Sequence, residues 1–415
     1  MSNQTVRDQY ETYPYPERAP GDEAKRLIEG SPSHLLELNH YVFGGRRDFS
    51  KPFRALVAGG GTGDGAIMLA QHLADTGGPG EVVYTDLSQA SRAIAEARAR
   101  ARGLGNITFH SLAIEDLENA ALGPFDYVDC CGVLHHMADP ASGLAVLSRI
   151  LADGGGMGLM VYGELGRTGV YPVQDMLRSI SAPDSLPGER IKLAKNLLKQ
   201  LPETNWLRRN PFLGDHLAGG DAGLYDLLLH SRDRAYRVAE IAELVNRAGL
   251  AITALIEPAA YNPDTYLTDP KLKQQLQTLP WLDRAAFAEL LAGNLRTHVF
   301  YVVRKGRTAD AVAPADDLDL APVLKGGDAA GLAARIKPGA ALTATLDGIK
   351  VRFAMPPLAQ AMIIRMDGVR TLGHIYNELA TINPNLDRDE FLAQYRVLYA
   401  ALNGLGQLYL RQPPP

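Results

Sequence analysis

Cysteine is nearly absent from this 415-residue chain, and the two present, Cys130 and Cys131, are neighbours. Adjacent thiols frame neither a disulfide-stapled fold nor a four-ligand metal site, so a reducing compartment and metal-free chemistry are expected. No run of about 18 uninterrupted apolar residues occurs, and the opening Met-Ser-Asn-Gln-Thr-Val-Arg-Asp lacks the apolar stretch of a signal sequence. The expectation is a soluble, cytoplasmic protein with no membrane partner. Positive charge is not in excess either: a formal net charge of −5 gives no basic field to hold a nucleic-acid backbone. Apolar residues, by contrast, make up 46% of the chain, enough for a sizeable core and two domains.

From Arg54 to Tyr162 the pattern alternates strand and helix, which predicts a parallel sheet with crossover helices. Strands are read to Gly59, over Val82–Thr85, Asn106–His110, Phe125–Cys131 and Met157–Tyr162. Ser88 is placed as the cap of an Ala/Arg-rich helix, and Asp139-Pro140 opens another that stops near Asp153-Gly154-Gly155. Residues 164–234 break the alternation with helical, proline-punctuated sequence, an insertion large enough to shape a pocket. The pattern then resumes with a helix over Val238–Arg247, a strand over Leu250–Ile256 and a last strand at His298–Val303. Thr308–Pro322, rich in Ala, Asp and Pro, reads as a linker. Beyond it, Asp347-Gly348 between two apolar runs is a type I′ hairpin signal.

The chemistry starts at Ala55-Leu56-Val57-Ala58-Gly59-Gly60-Gly61-Thr62-Gly63-Asp64-Gly65, a strand ending in five glycines within seven residues before a helix. Such a loop lets a ligand approach backbone and meet the free N–H groups of the helix start. Gly61 to Ala66 also fits the G-x-G-x-x-A dinucleotide form, so a nicotinamide cofactor is a rival at this point. Asp86, at the next strand end, is placed to accept hydrogen bonds from ribose hydroxyls, which serves either cofactor.

The stretch Phe125-Asp126-Tyr127-Val128-Asp129-Cys130-Cys131-Gly132-Val133-Leu134-His135-His136-Met137-Ala138-Asp139-Pro140, with the glycine loop and Asp86, resembles the class I S-adenosylmethionine-dependent methyltransferases. Gly59, Gly61, Thr62 and Gly63 match the family's first motif. The resemblance implies a Rossmann-like, seven-stranded α/β sheet with a helical insertion and S-adenosylmethionine as cofactor. It places Gly59, Gly61, Thr62, Gly63 and Asp64 against the methionine part, Asp86 and Leu87 at the ribose, and Ala113 and Ile114 at the adenine. Cys131, Gly132 and Val133 then line the floor near the sulfonium. Two departures stand out: the acidic residue usual in the first strand is Val57, and the one after the third strand is Ala113. The cofactor's amino group must find another partner, with backbone carbonyls, Asp64 or Glu115 as candidates.

Methyl transfer asks for an oriented nucleophile and, for some acceptors, a base, so no fixed catalytic motif is expected. His135 and His136 are the candidate bases. The arm Tyr10-Glu11-Thr12-Tyr13-Pro14-Tyr15-Pro16 is similar to an N-terminal leader in some bacterial members. It is expected to act as a lid, with Tyr15 near the reacting centre and Tyr10 and Tyr13 toward the acceptor. Asp226 and His230, closing the insertion, are candidate acceptor contacts, against the plainer reading of a surface pair.

The expected organisation is an arm and lid over 1–50, a methyltransferase domain over 51–305, a linker over 306–322 and a small α+β winged-helix-like recognition or regulatory domain over 323–415. The expected acceptor is a peptide, a protein side chain or a small organic molecule, and a homodimer is an option. The alternatives are an NAD(P)-dependent oxidoreductase and a non-catalytic S-adenosylmethionine-binding partner protein.

Overall fold

A computed structural model describes residues 3–182, 185–336 and 340–414. Seven strands, β1 (Phe53–Ala58), β2 (Gly80–Asp86), β3 (Ile107–Ser111), β4 (Phe125–Cys131), β5 (Leu151–Tyr162), β6 (Leu250–Leu255) and β7 (Thr297–Arg304), form one sheet in the order β3-β2-β1-β4-β5-β7-β6. The strands from β3 to β5 run parallel, and β6 is antiparallel to β7. The order reverses between β1 and β4, and the carboxyl ends of strands at such a reversal are where open α/β sheets bind ligands.

The helices obey their local signals. Ser88 accepts from Ser91 N–H at 3.0 Å to cap Gln89–Arg102, and Asp139 accepts from Ala141 and Ser142 ahead of Pro140–Arg149. One boundary moves. The helix ends at Arg149, and Asp153, Gly154 and Gly155 lie inside β5. Phe125 faces Leu151 while Tyr127 already faces Gly156, so the glycines absorb a bulge in β5 instead of stopping a helix.

The chain divides into two compact units, one of residues 1–33, 49–249 and 293–299 and the other of residues 34–48, 250–292 and 300–415. In the first, helices Val170–Ile180, Pro187–Gln200 and Gly220–Leu228 of the insertion bury Val173, Leu177, Ile191, Leu224 and Leu228 together. In the second, Leu320, Met362, Ile375, Phe391, Leu398 and Leu408 share a core. The 306–322 segment, read as a linker from its composition, has buried Ala311, Ala313 and Leu320, and Ala313 N–H donates to the His40 carbonyl at 2.8 Å. Its end enters β8 (Ala321–Leu324), which pairs with β11 (Leu408–Arg411). The hairpin β9 (Ala341–Leu346) and β10 (Ile349–Ala354) turns through Asp347 and Gly348, both at positive φ as a type I′ turn requires.

Candidate active site

The glycine loop forms one wall of a cavity of about 410 Å³, within the range of small-molecule sites. Gly63, at φ 104°, is the N-cap of helix Asp64–Asp75, and a Cβ there would come within 2.9 Å of the Ala95 side chain. Gly61 holds φ 52° and gives its N–H to Asp86 Oδ2 at 2.8 Å, while Asp86 Oδ1 accepts from Ser88 N–H at 2.8 Å. Burial raises the Asp86 carboxyl, and these amide bonds pull it back. The Tyr84 hydroxyl donates to the Gly61 carbonyl at 2.6 Å and completes the brace.

Asp64 belongs to an ionic clasp. Arg18 binds it through Nε and Nη2, at 2.9 and 2.7 Å, and Arg98 Nη1 at 2.6 Å. Burial works against its ionised form, yet the two guanidiniums hold its carboxyl below the usual range. Arg98 is itself buried, pairs with Glu23 at 2.6 Å and donates to the Thr62 carbonyl. Asp64 is therefore already neutralised by protein cations.

The N-terminal arm packs along the loop. Thr62 donates its hydroxyl to the Pro16 carbonyl at 2.7 Å, Ser88 donates to the Tyr10 carbonyl at 3.1 Å, and Glu11 accepts the free N–H groups of Gln89 and Ala90. The last contact is a helix cap supplied from a distant segment, favoured by the positive end of the helix. Tyr10, Tyr15 and Pro16 reach the cavity, whereas Tyr13 stacks on Tyr225 at 5.2 Å and is not part of the lining.

Beyond Cys131, Gly132 and Val133 the cavity ends in Tyr10, His136, Met160, Tyr162 and Asp226. The Tyr10 and Tyr162 hydroxyls donate to the two oxygens of Asp226, at 3.1 and 2.9 Å. Burial raises the Asp226 carboxyl, opposed by His136 and by both tyrosine bonds. Tyr162 is pinned from behind by Arg167, whose guanidinium sits 3.7 Å from the ring centroid and pairs with buried Asp233 at 2.8 Å.

The backbone of Arg232 sorts the two histidines. Its carbonyl lies 2.8 Å from His136 Nδ1, so that nitrogen carries the proton and Nε2 the lone pair of the neutral ring. Its N–H donates to His230 Nδ1 at 3.0 Å, which leaves the proton on Nε2, 3.3 Å from the Tyr10 hydroxyl. The rings stack at 3.7 Å, and burial, then His136, lowers the His230 pKa. His136, Asp226 and His230 place one ligand atom each within 4.8 Å of one another, a spacing open to a cation. Hydrogen bonds already engage both Asp226 oxygens and fix the proton on His230 Nε2, so the trio is better suited to moving protons than to binding a metal.

Among the residues singled out in the sequence, Gly59, Gly61, Asp64, Asp86, Leu87, Ile114, Cys131, Gly132, Val133, His136, Tyr10, Tyr15 and Asp226 meet at this one cavity. Thr62, Gly63 and Ala113 stand behind the lining. His135 turns away and packs its ring 3.8 Å from Tyr162, where burial, then His136, lowers its pKa; His230 contacts the lining through His136 and Tyr10. Sequence reasoning missed Arg18, Ser33, Tyr162 and Asp129. Asp129 lies on β4 as the register partner of Val57 on β1, and only 2% of its surface is exposed. Its Oδ1 accepts from Cys131 N–H at 3.0 Å, its Oδ2 is in close contact with the Ser33 hydroxyl, and burial pushes its carboxyl up to about 6.

Residues 56–157 match the model of a methyltransferase domain family. Over 317 residues the chain is 27% identical to an uncharacterized protein of Synechococcus sp., covering 72% of each. The ubiquinone biosynthesis O-methyltransferases of Acinetobacter baumannii and Methylococcus capsulatus are 29% and 33% identical over 93 residues, 22% of this chain and 38% of theirs. The solved structure of PKMT2 from Rickettsia typhi has a TM-score of 0.63 at 16% identity, covering 92% of this chain and 75% of that one, which shows a shared fold. The nicotinamide reading of the glycine loop is set aside by the family match. Residues 56–157 form a methyltransferase domain on a Rossmann-like sheet, and the chain is an S-adenosylmethionine-dependent methyltransferase.

Proposed function

We propose that this enzyme methylates a nucleophile that must give up a proton, carried by a peptide, a protein side chain or a small organic molecule, and that His136 takes that proton. The observation that carries the reading is the 2.8 Å contact between His136 Nδ1 and the Arg232 carbonyl, which sets the tautomer. With that nitrogen committed, the ring lines the cavity beside Tyr10, Tyr162 and Asp226. A base needs a lone pair held in place, and this one is oriented by backbone.

The cavity fits the cofactor. Gly59 and Gly61 contribute backbone to the wall, Asp86 keeps carboxylate lone pairs beyond its two amide bonds for ribose hydroxyls, and Leu87, Leu112 and Ile114 offer an apolar surface for adenine. Thr62, Gly63, Asp64 and Ala113 act behind this surface by fixing the loop. S-adenosylmethionine supplies a methyl group already activated by its sulfonium leaving group. Tyr10, Tyr15 and Tyr162 line the cavity and exclude water from a cationic group held there. Asp226, tied to both Tyr10 and Tyr162, positions the acceptor end and offsets positive charge when His136 is protonated. His230 holds Tyr10 in register, Tyr13 anchors the arm on Tyr225, and His135 sets the floor under Tyr162. The two-stranded sheet β9–β10 leaves strand edges on which an extended peptide can pair, which supports a peptide acceptor.

The test uses methyl-labelled S-adenosylmethionine with cell lysate fractionated by size. Label entering a discrete acceptor with wild type, and 10²-fold or more slower with His136→Ala, supports the proposal. Equal rates for the two proteins refute the role of His136.

A further inference from the structure

Six carboxylates line the cavity. Glu29 and Glu115 are exposed to solvent, and three of the other four are accounted for. Asp64 is paired with Arg18 and Arg98, Asp86 is bound to loop amides beside the ribose position, and Asp226 receives two tyrosine hydroxyls. Asp129 is different. Its hydrogen-bond partners are the Ser33 hydroxyl and Cys131 N–H, and among the described residues no Lys, Arg or His pairs with it. A carboxylate 2% exposed and without a cation is costly to keep, and this one faces a cavity. The structure leaves room for its partner on the cavity side: Gly65 has no side chain, and a Cβ there would stand 3.2 Å from Oδ2.

Strand order explains how the group comes to be there. Val57 and Asp129 are paired in parallel register on β1 and β4, so their side chains leave the same face of the sheet, and both line the cavity. We propose that Asp129 is the carboxylate that receives the α-ammonium of the cofactor's amino-acid end, carried on β4 because the paired position on β1 is valine. The proposal rests on the cofactor placement given above. It makes Ser33 a positioning residue, which with Cys131 N–H fixes the carboxylate plane and ties the 28–33 segment to the occupied cavity.

Two nucleosides separate this role from a general effect on the cavity. S-adenosylhomocysteine carries the ammonium without a sulfonium, and 5′-methylthioadenosine carries neither ammonium nor carboxylate. Titration calorimetry of the full chain at pH 7.5 is expected to show Asp129→Asn weakening S-adenosylhomocysteine 10- to 100-fold, with 5′-methylthioadenosine unchanged within twofold. Equal, still measurable weakening of both, or weakening of neither, overturns the proposal. If Asp129→Asn binds neither nucleoside, Val57→Asp/Asp129→Val decides. Recovered preference for S-adenosylhomocysteine supports a carboxylate on this face, and its loss refutes one. Wild-type protein that binds neither nucleoside overturns the cofactor placement itself, an outcome distinct from all of these.

Discussion

Replacing Asp129 by asparagine is expected to make the ligand-free protein more stable at neutral pH while it weakens cofactor binding. Burial lifts the Asp129 carboxyl from the ordinary value near 4 to about 6, so the folded chain binds this proton more tightly than the unfolded one. A raised carboxyl contributes stability that is fully present below the unfolded value and is lost as pH rises through about 6. The gap of about two pH units corresponds to about 3 kcal/mol, the cost of an ionised Asp129 at pH 7.5 relative to the protonated form. Asparagine keeps an acceptor for Cys131 N–H and offers a donor to Ser33, without the charge. The groups that face Asp129 do not confuse the window. The neighbouring thiols of Cys130 and Cys131 are pushed up by burial and then by Asp129 itself, and Asp64 is held down by two arginines despite its burial.

Urea unfolding of ligand-free wild type and Asp129→Asn should therefore differ by about 1–3 kcal/mol in favour of the variant at pH 7.5, with the gap closing toward pH 5. Ligand reverses the order of benefit. S-adenosylhomocysteine at 100 times its wild-type Kd adds about 2.7 kcal/mol to wild type, whereas 30-fold weaker binding leaves the variant about 0.9 kcal/mol. A variant less stable than wild type at pH 7.5, or an advantage of the same size at pH 5, refutes the unpaired buried charge.

Other perturbations test the rest of the site. Arg98→Ala leaves Glu23 and Asp64 without their buried partner and should cost about 3–5 kcal/mol, read as a lower urea midpoint; a change under 1 kcal/mol would mean that the clasp is solvated. His136→Ala should lower kcat by 10²–10⁴ and leave S-adenosylhomocysteine affinity within a few-fold, and a parallel loss of both would instead mark His136 as part of the cofactor wall. Deleting residues 1–16 removes Tyr10, Tyr15 and the Glu11 cap, and calorimetry should show at least a tenfold loss of S-adenosylhomocysteine affinity; unchanged affinity would show that the arm is not a lid. Dialysis against a chelator should leave turnover unchanged, because the Asp226 and His230 donor atoms are engaged by hydrogen bonds; activity restored by added divalent metal would refute that.

What was legible in the sequence is what local chemistry determines. The β1 glycine loop, the Ser88 and Asp139 caps and the Asp347-Gly348 turn each follow from a few consecutive residues. The Gly154-Gly155 stop misled because a glycine pair serves a helix end and a bulge equally well, and only pairing with β4 decides between them. The 306–322 segment misled for a related reason: alanines that look like linker composition bury readily once a neighbouring backbone supplies hydrogen bonds. Asp129 was hidden more deeply. It lies in the middle of an apolar strand, where it reads as one polar residue in an otherwise buried run, and its relation to Val57 exists only after β1 and β4 are known to be neighbours in parallel register. Seventy-two positions separate the two residues, so no window of local pattern contains both. The sequence could therefore report a missing carboxylate but not its replacement, since the two positions are neighbours in space, on one sheet face, and not in the chain. The same logic holds at the acceptor end. Tyr10, Tyr162 and Asp226 come from the arm, from β5 and from the insertion, and their joint chemistry is a property of where the sheet ends.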